Sequence, residues 1–230
     1  MNPESESQPE SELAKAEAEL LRRAEAGELS EEGFAEAWRE MEENTPLSDG
    51  EIAQENAFML KRRDAFRRVA EMAATGFSKL PIVQKVVLFG SVAAPATKEV
   101  PRFRRLRRAR VAIYHECKDV DLAVWVDDLT QLRALKRAVS DATNVFNQLI
   151  CHQEILPGVA HHQVDVFVFE PGTNRYRGRL CIFGQCPKGK PECKVPGCGS
   201  QPFLQLYEGF EIHPRVFAER PCVVLFERTT

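Results

Sequence analysis

Residues 118–126 read Lys-Asp-Val-Asp-Leu-Ala-Val-Trp-Val, and the alternation in this stretch decides the fold. Val120, Leu122, Val124 and Val126 fall on one side of a period-two strand, while Asp119 and Asp121 fall together on the other. β-Branched and aromatic residues dominate, and Asp127 and Asp128 close the run, so a strand is predicted over 120–126. A single aspartate at a strand end reads as a turn or a cap. Here two share a face.

Outward from this strand the pattern is regular on both sides. Leu129 to Ile150 reads as a helix, with Leu132, Leu135, Val139, Val145, Phe146 and Leu149 repeating along one side. Pro157 and Gly158 break the chain, and Gln163 to Phe169 then predicts a further strand that holds Asp165 inside an apolar run and stops at Pro171 and Gly172. Toward the N-terminus, Val83 onward (VQKVVLFGSV) reads as a buried strand ending at Gly90 and Ser91. Before it, the break at 44–50 leads into Ser48 and Glu51 at capping-box spacing. Ile52, Phe58, Met59, Phe66, Val69 and Met72 then recur at helical spacing to about Ser78, with Gly76 as the closing signal. Helix, strand, linker, strand, helix, strand predicts an α/β (α+β) fold whose mixed sheet is flanked by helices.

The interrupting residues carry the chemistry. A carboxylate buried alone is costly and tends to stay protonated, and three converging carboxylates repel unless a cation sits between them. Hard oxygen ligands suit Mg²⁺ or Mn²⁺, with substrate phosphates completing the octahedron. At Gly90 the missing Cβ lets backbone approach a phosphate, and exposed N–H groups with the Ser91 hydroxyl donate to its oxygens. Taken alone, Gly-Ser after a strand is a common turn.

Strand, Gly-Ser, a strand opening Asp-x-Asp-Leu, a helix and a strand with a third Asp together resemble the DNA polymerase β-like nucleotidyltransferase superfamily, over roughly residues 80–170. The resemblance implies that Gly90 and Ser91 hold the triphosphate of an NTP. It implies that Asp119 and Asp121 bind the metal ions and that Asp165 completes the site and helps activate the acceptor. The implied reaction moves a nucleoside monophosphate to an acceptor hydroxyl by two-metal logic. One departure stands out: 27 residues, Val92 to Lys118, separate Gly-Ser from Asp-x-Asp, where the family has a short link. Nothing after residue 172 reads as the helical C-terminal domain typical of the family.

Composition bounds the rest. With 230 residues, 43 % of them hydrophobic, the chain is large and apolar enough to bury a core without disulfides. Its longest apolar runs are strand-sized, short of the ~20 residues of a membrane helix, and the first dozen residues are acidic and polar. A cytoplasmic protein with no membrane contact is expected. The net charge of −3 conceals two opposed blocks. Residues 1–45 hold 14 acidic and 4 basic side chains, with a thin apolar stripe that predicts a solvated helix or hairpin after a disordered start. Residues 98–110 hold 7 basic groups against Glu99. Arg102, Arg104, Arg105, Arg107, Arg108 and Arg110 cannot share one helix face, and they read either as a solvated run or as a site for nucleotide phosphates, RNA or DNA.

Beyond residue 172 the texture turns to Gly, Pro, Lys and Cys, with β-like stretches at 203–207 and 222–226. Cys181, Cys186, Cys193 and Cys198 form C-x4-C-x6-C-x4-C, a spacing that suits tetrahedral structural Zn²⁺ or, without it, reduced thiols. Three parts are therefore expected: an acidic N-terminal extension over 1–47, a nucleotidyltransferase domain over 48–172 with a basic insertion at 92–118, and a Cys-rich zinc-binding tail over 173–230. Two other functions fit the same features. One is a non-catalytic module on this fold that binds nucleic acid or protein, and the other is a component of a toxin–antitoxin pair.

Overall fold

A computed structural model of the chain describes residues 12–44, 47–102, 104–151, 156–181, 201–206, 212–213 and 215–229. The chain divides into two compact units, one made of residues 1–56 with 98–113 and the other of 57–97 with 114–230.

In the first unit the acidic segment folds as two helices, α1 (Glu12–Glu25) and α2 (Glu31–Asn44), packed on each other. Ser30 caps α2 by accepting from the Gly33 N–H at 3.1 Å. The thin apolar stripe is enough for a helical pair: Leu20 is buried, and the Phe34 and Trp38 rings lie 5.5 Å apart. The helix α3 (Asp49–Ser78) starts here, and its capping box forms as the spacing predicts. Ser48 N–H donates to Glu51 Oε2 at 2.7 Å, and Glu51 N–H donates to Ser48 Oγ at 3.2 Å.

The second unit carries the sheet. After α3 comes β1 (Val83–Phe89); residues 98–113, which belong to the first unit, then hold the two-residue strand β2 (Lys98–Glu99), the short helix α4 (Arg104–Arg108) and the start of β3 (Ile113–Tyr114), which pairs with β2. Then follow β4 (Val120–Val126), α5 (Leu132–Cys151), a 3₁₀ turn at His161–Gln163, β5 (Val164–Phe169), β6 (Tyr176–Leu180), β7 (Leu204–Gln205), α6 (Val216–Glu219) and β8 (Val223–Glu227). Among the described residues the main sheet has six strands in the order β7-β6-β5-β4-β1-β8. Only β4 and β5 run parallel, joined through α5; the other pairs are antiparallel, so the sheet is mixed as expected.

Two expectations are corrected in detail. Gly76 does not close α3, because the helix runs on to Ser78 and Gly76 serves packing instead: a Cβ there would lie 2.9 Å from the Ala138 Cβ of α5. The helix expected from Leu129 begins at Leu132, because Asp128 Oδ1 accepts from the Thr130 N–H at 2.7 Å and holds a turn. Residues beyond 172 supply β6, β7 and β8 to the same sheet.

The sheet has two unlike faces. One is covered by α3 and α5 and buries Phe66, Val69, Phe77, Leu135 and Phe146 against Val86, Leu88, Val120, Leu122, Val124, Val164, Val166 and Val168. The other holds a smaller cluster of Val87, Ala123, Trp125, Phe167 and Phe169, capped by Ile212, Phe217 and Cys222. Phe217 meets Phe89, Trp125 and Phe169 edge-on, with ring centroids 5.2–5.4 Å apart. None of the described helices is long and apolar enough to cross a membrane.

Candidate active site

Register builds the site. In the antiparallel pair β1–β4, Phe89 stands opposite Asp121, so Gly90 and Ser91 leave the sheet beside that aspartate. In the parallel pair β4–β5, Asp121 stands opposite Asp165. Neighbouring strands lie about 4.8 Å apart, so the two carboxylates are side by side on the face away from α3 and α5. Gln163 levels the two strand entries: its Nε2 donates to Lys118 O at 3.3 Å, and its Oε1 accepts from the Ala160 N–H at 2.8 Å.

Gly90 has φ of +75°, and a Cβ on it would fall 2.3 Å from Asp121 Oδ2. Only glycine fits there, both for the left-handed backbone and for the carboxylate pressed against it. The chain then makes a single turn, in which Gly90 O accepts from the Ala94 N–H at 3.2 Å, before entering the basic insertion.

Electrostatics mark the pair. Burial raises Asp121 to about 6, with Asp165 and Asp119 adding repulsion and Arg179 opposing it. Burial also raises Asp165 to about 6, with Arg179 again opposing and Asp119 adding to the rise. Burial is the larger cause for both; two full charges about 5 Å apart would add repulsion of about 3 kcal/mol at an effective dielectric constant of 20. Asp119 precedes β4 and is exposed, and its charge acts on both Asp121 and Asp165, which stand in register on β4 and β5. Among the described residues no group of three or more His, Cys, Asp or Glu side chains is gathered closely enough to hold a metal ion.

Ser91 faces another way. Its hydroxyl hydrogen-bonds the buried Cys117 thiol, which burial pushes up from its ordinary pKa. Both line a cavity of about 230 Å³ with Arg63, Thr97, Tyr114 and His115. Arg63 Nη2 donates to Ala94 O, fastening the turn after Ser91, and its Nε is buried without a hydrogen-bond partner. Arg62 pairs with Glu116 at 3.1 Å, fixing the segment that enters β4.

Two residues of this site are absent from the sequence reading, Arg63 and Arg179. Arg179 lies on β6, opposite Phe167, and its Nη2 reaches Asp165 Oδ1 at 2.6 Å. The signal for it is the hairpin: Pro171 to Asn174 turns the chain back, and an antiparallel return brings residue 179 diagonally next to 165. Arg63 carries no such signal, because it depends on which face of α3 meets the loop after β1.

The basic block is helical over Arg104–Arg108, with Leu106 buried and Arg102, Arg107, Arg108 and Arg110 exposed. Of the four cysteines expected to bind zinc, Cys181 follows β6 directly and is buried, with its Sγ accepting from Gln205 Nε2 at 3.8 Å, while Cys186, Cys193 and Cys198 lie outside the described residues. Comparison of the chain with family models, with curated proteins and with solved structures finds no match.

Proposed function

We propose that the protein is a metal-dependent nucleotidyltransferase that moves a nucleoside monophosphate from an NTP to an acceptor hydroxyl. The observation that carries this reading is the Asp121–Asp165 register beside Gly90, whose absent Cβ leaves room only for a carboxylate and close backbone. The donor set suits Mg²⁺ or Mn²⁺: hard carboxylate oxygens on adjacent strands, both acids raised to about 6 chiefly by burial, with Arg179 as the counter-charge to Asp165. Asp121 and Asp165 would hold the ions, with Asp119 joining them from the strand entry. The bound ions would supply Lewis-acid stabilisation of the charge that develops on the phosphates.

The chain's own residues account for the remaining steps. Backbone at Gly90 and Ser91, braced by Arg63 through Ala94 O, holds the triphosphate. The acceptor oxygen forms a bond to the α-phosphorus, the α–β bridging P–O bond breaks, and pyrophosphate leaves. Asp165 takes the hydroxyl proton of the acceptor. Structural Zn²⁺ on Cys181, Cys186, Cys193 and Cys198 belongs to the same proposal, and the measured zinc content of purified protein tests it.

Incubating the protein with each of four α-labelled NTPs, Mg²⁺ or Mn²⁺ and a cell extract tests the reaction. Label on one macromolecule or metabolite names the acceptor class, and no incorporation from any NTP overturns the reading. A second reading is favoured by the exposed Arg107, Arg108 and Arg110: a module that binds nucleic acid without chemistry. Salt-steep binding with no pyrophosphate release would select it.

A further inference from the structure

Resting on the transfer reading above, we propose that Arg179 is a resident counter-ion of the carboxylate pair: it holds Asp165 while no divalent ion is bound and yields its place when one binds. It is a positioning residue, acting on the reaction through Asp165.

The strand geometry puts Arg179 there. β6 runs antiparallel to β5 with Arg179 opposite Phe167, so Arg179 shares the face of Phe167 and of Asp165, two residues back. The ion pair spans 2.6 Å, and the two side chains keep only 23 % and 13 % of their surface exposed. Water therefore screens this cluster weakly, and two adjacent carboxylates need a positive charge within it.

The form of the contact matters as much as its presence. An arginine locked onto a carboxylate for structure usually engages it with two parallel N–H groups. Here Arg179 Nη2 lies 2.6 Å from Asp165 Oδ1, yet that oxygen lacks a hydrogen bond of good geometry and Arg179 Nε is buried without a hydrogen bond. The pair is thus held by charge more than by fit. Neighbouring Glu170 offers the contrast, since it takes Arg177 at 3.2 Å, Arg175 at 3.1 Å and the Thr173 hydroxyl at 3.1 Å. That carboxylate is tied from three sides and marks a structural role. Among the described residues Asp165 has a single cationic partner, on a face that also bears Asp121, and a divalent ion between the two would bring twice the charge to the same oxygens.

Direct Mn²⁺ binding, read by the loss of the free-ion electron paramagnetic resonance signal, tests this. Removing the competitor in Arg179→Gln is expected to tighten Mn²⁺ binding by about tenfold, and Arg179→Lys, which keeps the charge, to stay within about threefold of wild type. Equal or weaker binding by Arg179→Gln, with an unchanged circular dichroism spectrum, overturns the counter-ion role and leaves the transfer reading standing. Absence of Mn²⁺ binding in both wild type and variant overturns both. A measurement on the wild type stands in if Arg179→Gln fails to fold. The Arg179 Nε–H resonance, identified by its loss in Arg179→Lys, should exchange with water at least about tenfold faster once Mg²⁺ is added. An unchanged exchange rate at saturating Mg²⁺ overturns the proposal.

Discussion

The two faces of the main sheet use the same strands for opposite ends. Toward α3 and α5, β1, β4 and β5 present valine and leucine almost without interruption, and among the described residues no carboxylate is fully buried there. On the other face the same strands present Asp121 and Asp165 at one end and Trp125, Phe167 and Phe169 at the other. Period-two alternation makes this division possible, because each strand position belongs to one face only. The helix-covered face supplies stability through buried area. The open face places charge where burial and repulsion work against it, and it depends on the first face for the free energy that keeps those charges in register.

The largest difference between the faces should appear when the carboxylates are neutralised. Asp121→Asn is expected to lower labelled-NMP transfer by about 10³-fold or more. Its melting temperature in EDTA at pH 7.5 should be equal to or above that of wild type, since the ionised form is the one the fold penalises. A variant that melts markedly lower would make Asp121 a structural residue and would break the division of labour.

Phe77→Ala probes the opposite face. Phe77 is fully buried on α3, so its loss removes transfer free energy and leaves a cavity, at a cost of about 3–5 kcal/mol in urea unfolding. Whatever protein stays folded should keep its transfer rate per folded molecule. A selective loss of turnover in the folded fraction would show that the helix-covered face shapes the site directly.

How much of this was legible in the sequence follows from the range of each signal. β4 is read correctly to the residue, and β1 and β5 nearly so, because alternation is local and Asp121 and Asp165 each interrupt it. That these two aspartates stand in register is not local, since it depends on α5 returning the chain parallel to β4. Asp119 shares the parity of Asp121, and in the fold its charge acts on Asp121 and Asp165 alike. Lying before the first strand residue, it is not held by the ladder and stays exposed. Arg179 escaped because Tyr-Arg-Gly-Arg-Leu alternates too weakly to announce a strand, and its meaning comes from the partner across the hairpin. The sequence suggests room for a phosphate at Gly90; in the fold the space its Cβ would take is filled by the Asp121 carboxylate, a contact between strands that no single stretch of sequence carries.

The faces should also differ in their response to pH. In the fold both aspartates sit near 6, above their ordinary value of 3.8, so between those values the folded state binds more protons than the unfolded one. Stability from this source is complete below about pH 4, is lost as the pH rises through 6, and then stays level. The change amounts to about 1–3 kcal/mol for each group. Urea titrations in EDTA at pH 4.5 and pH 7.5 should show wild type losing more stability across that interval than the Asp121→Asn, Asp165→Asn double variant. Coincident changes would mean that the open face tolerates its charges without penalty. Saturating Mg²⁺ should shrink the difference, because the ion favours the deprotonated pair.

The smallest effect belongs to the aromatic end of the open face, and it tests whether that end is independent of the carboxylates. Trp125 Nε1 donates to Asn174 Oδ1 at 2.7 Å, tying β4 to the turn between β5 and β6. Asn174 has φ of +54°, a conformation glycine adopts without strain, so Asn174→Gly removes the hydrogen bond while keeping the turn. The expected cost is about 0.5–1.5 kcal/mol, the net worth of one such bond. Asn174→Ala loses the same bond and adds left-handed strain of about 1 kcal/mol. The order of the two variants in urea unfolding therefore separates side-chain from backbone contributions. Neither should change transfer or Mn²⁺ affinity, because the turn is anchored at the end of β5 away from Asp165. A shift in Mn²⁺ affinity in either variant would mean that the hairpin sets the reach of Arg179, and the two ends of the open face would then be one device.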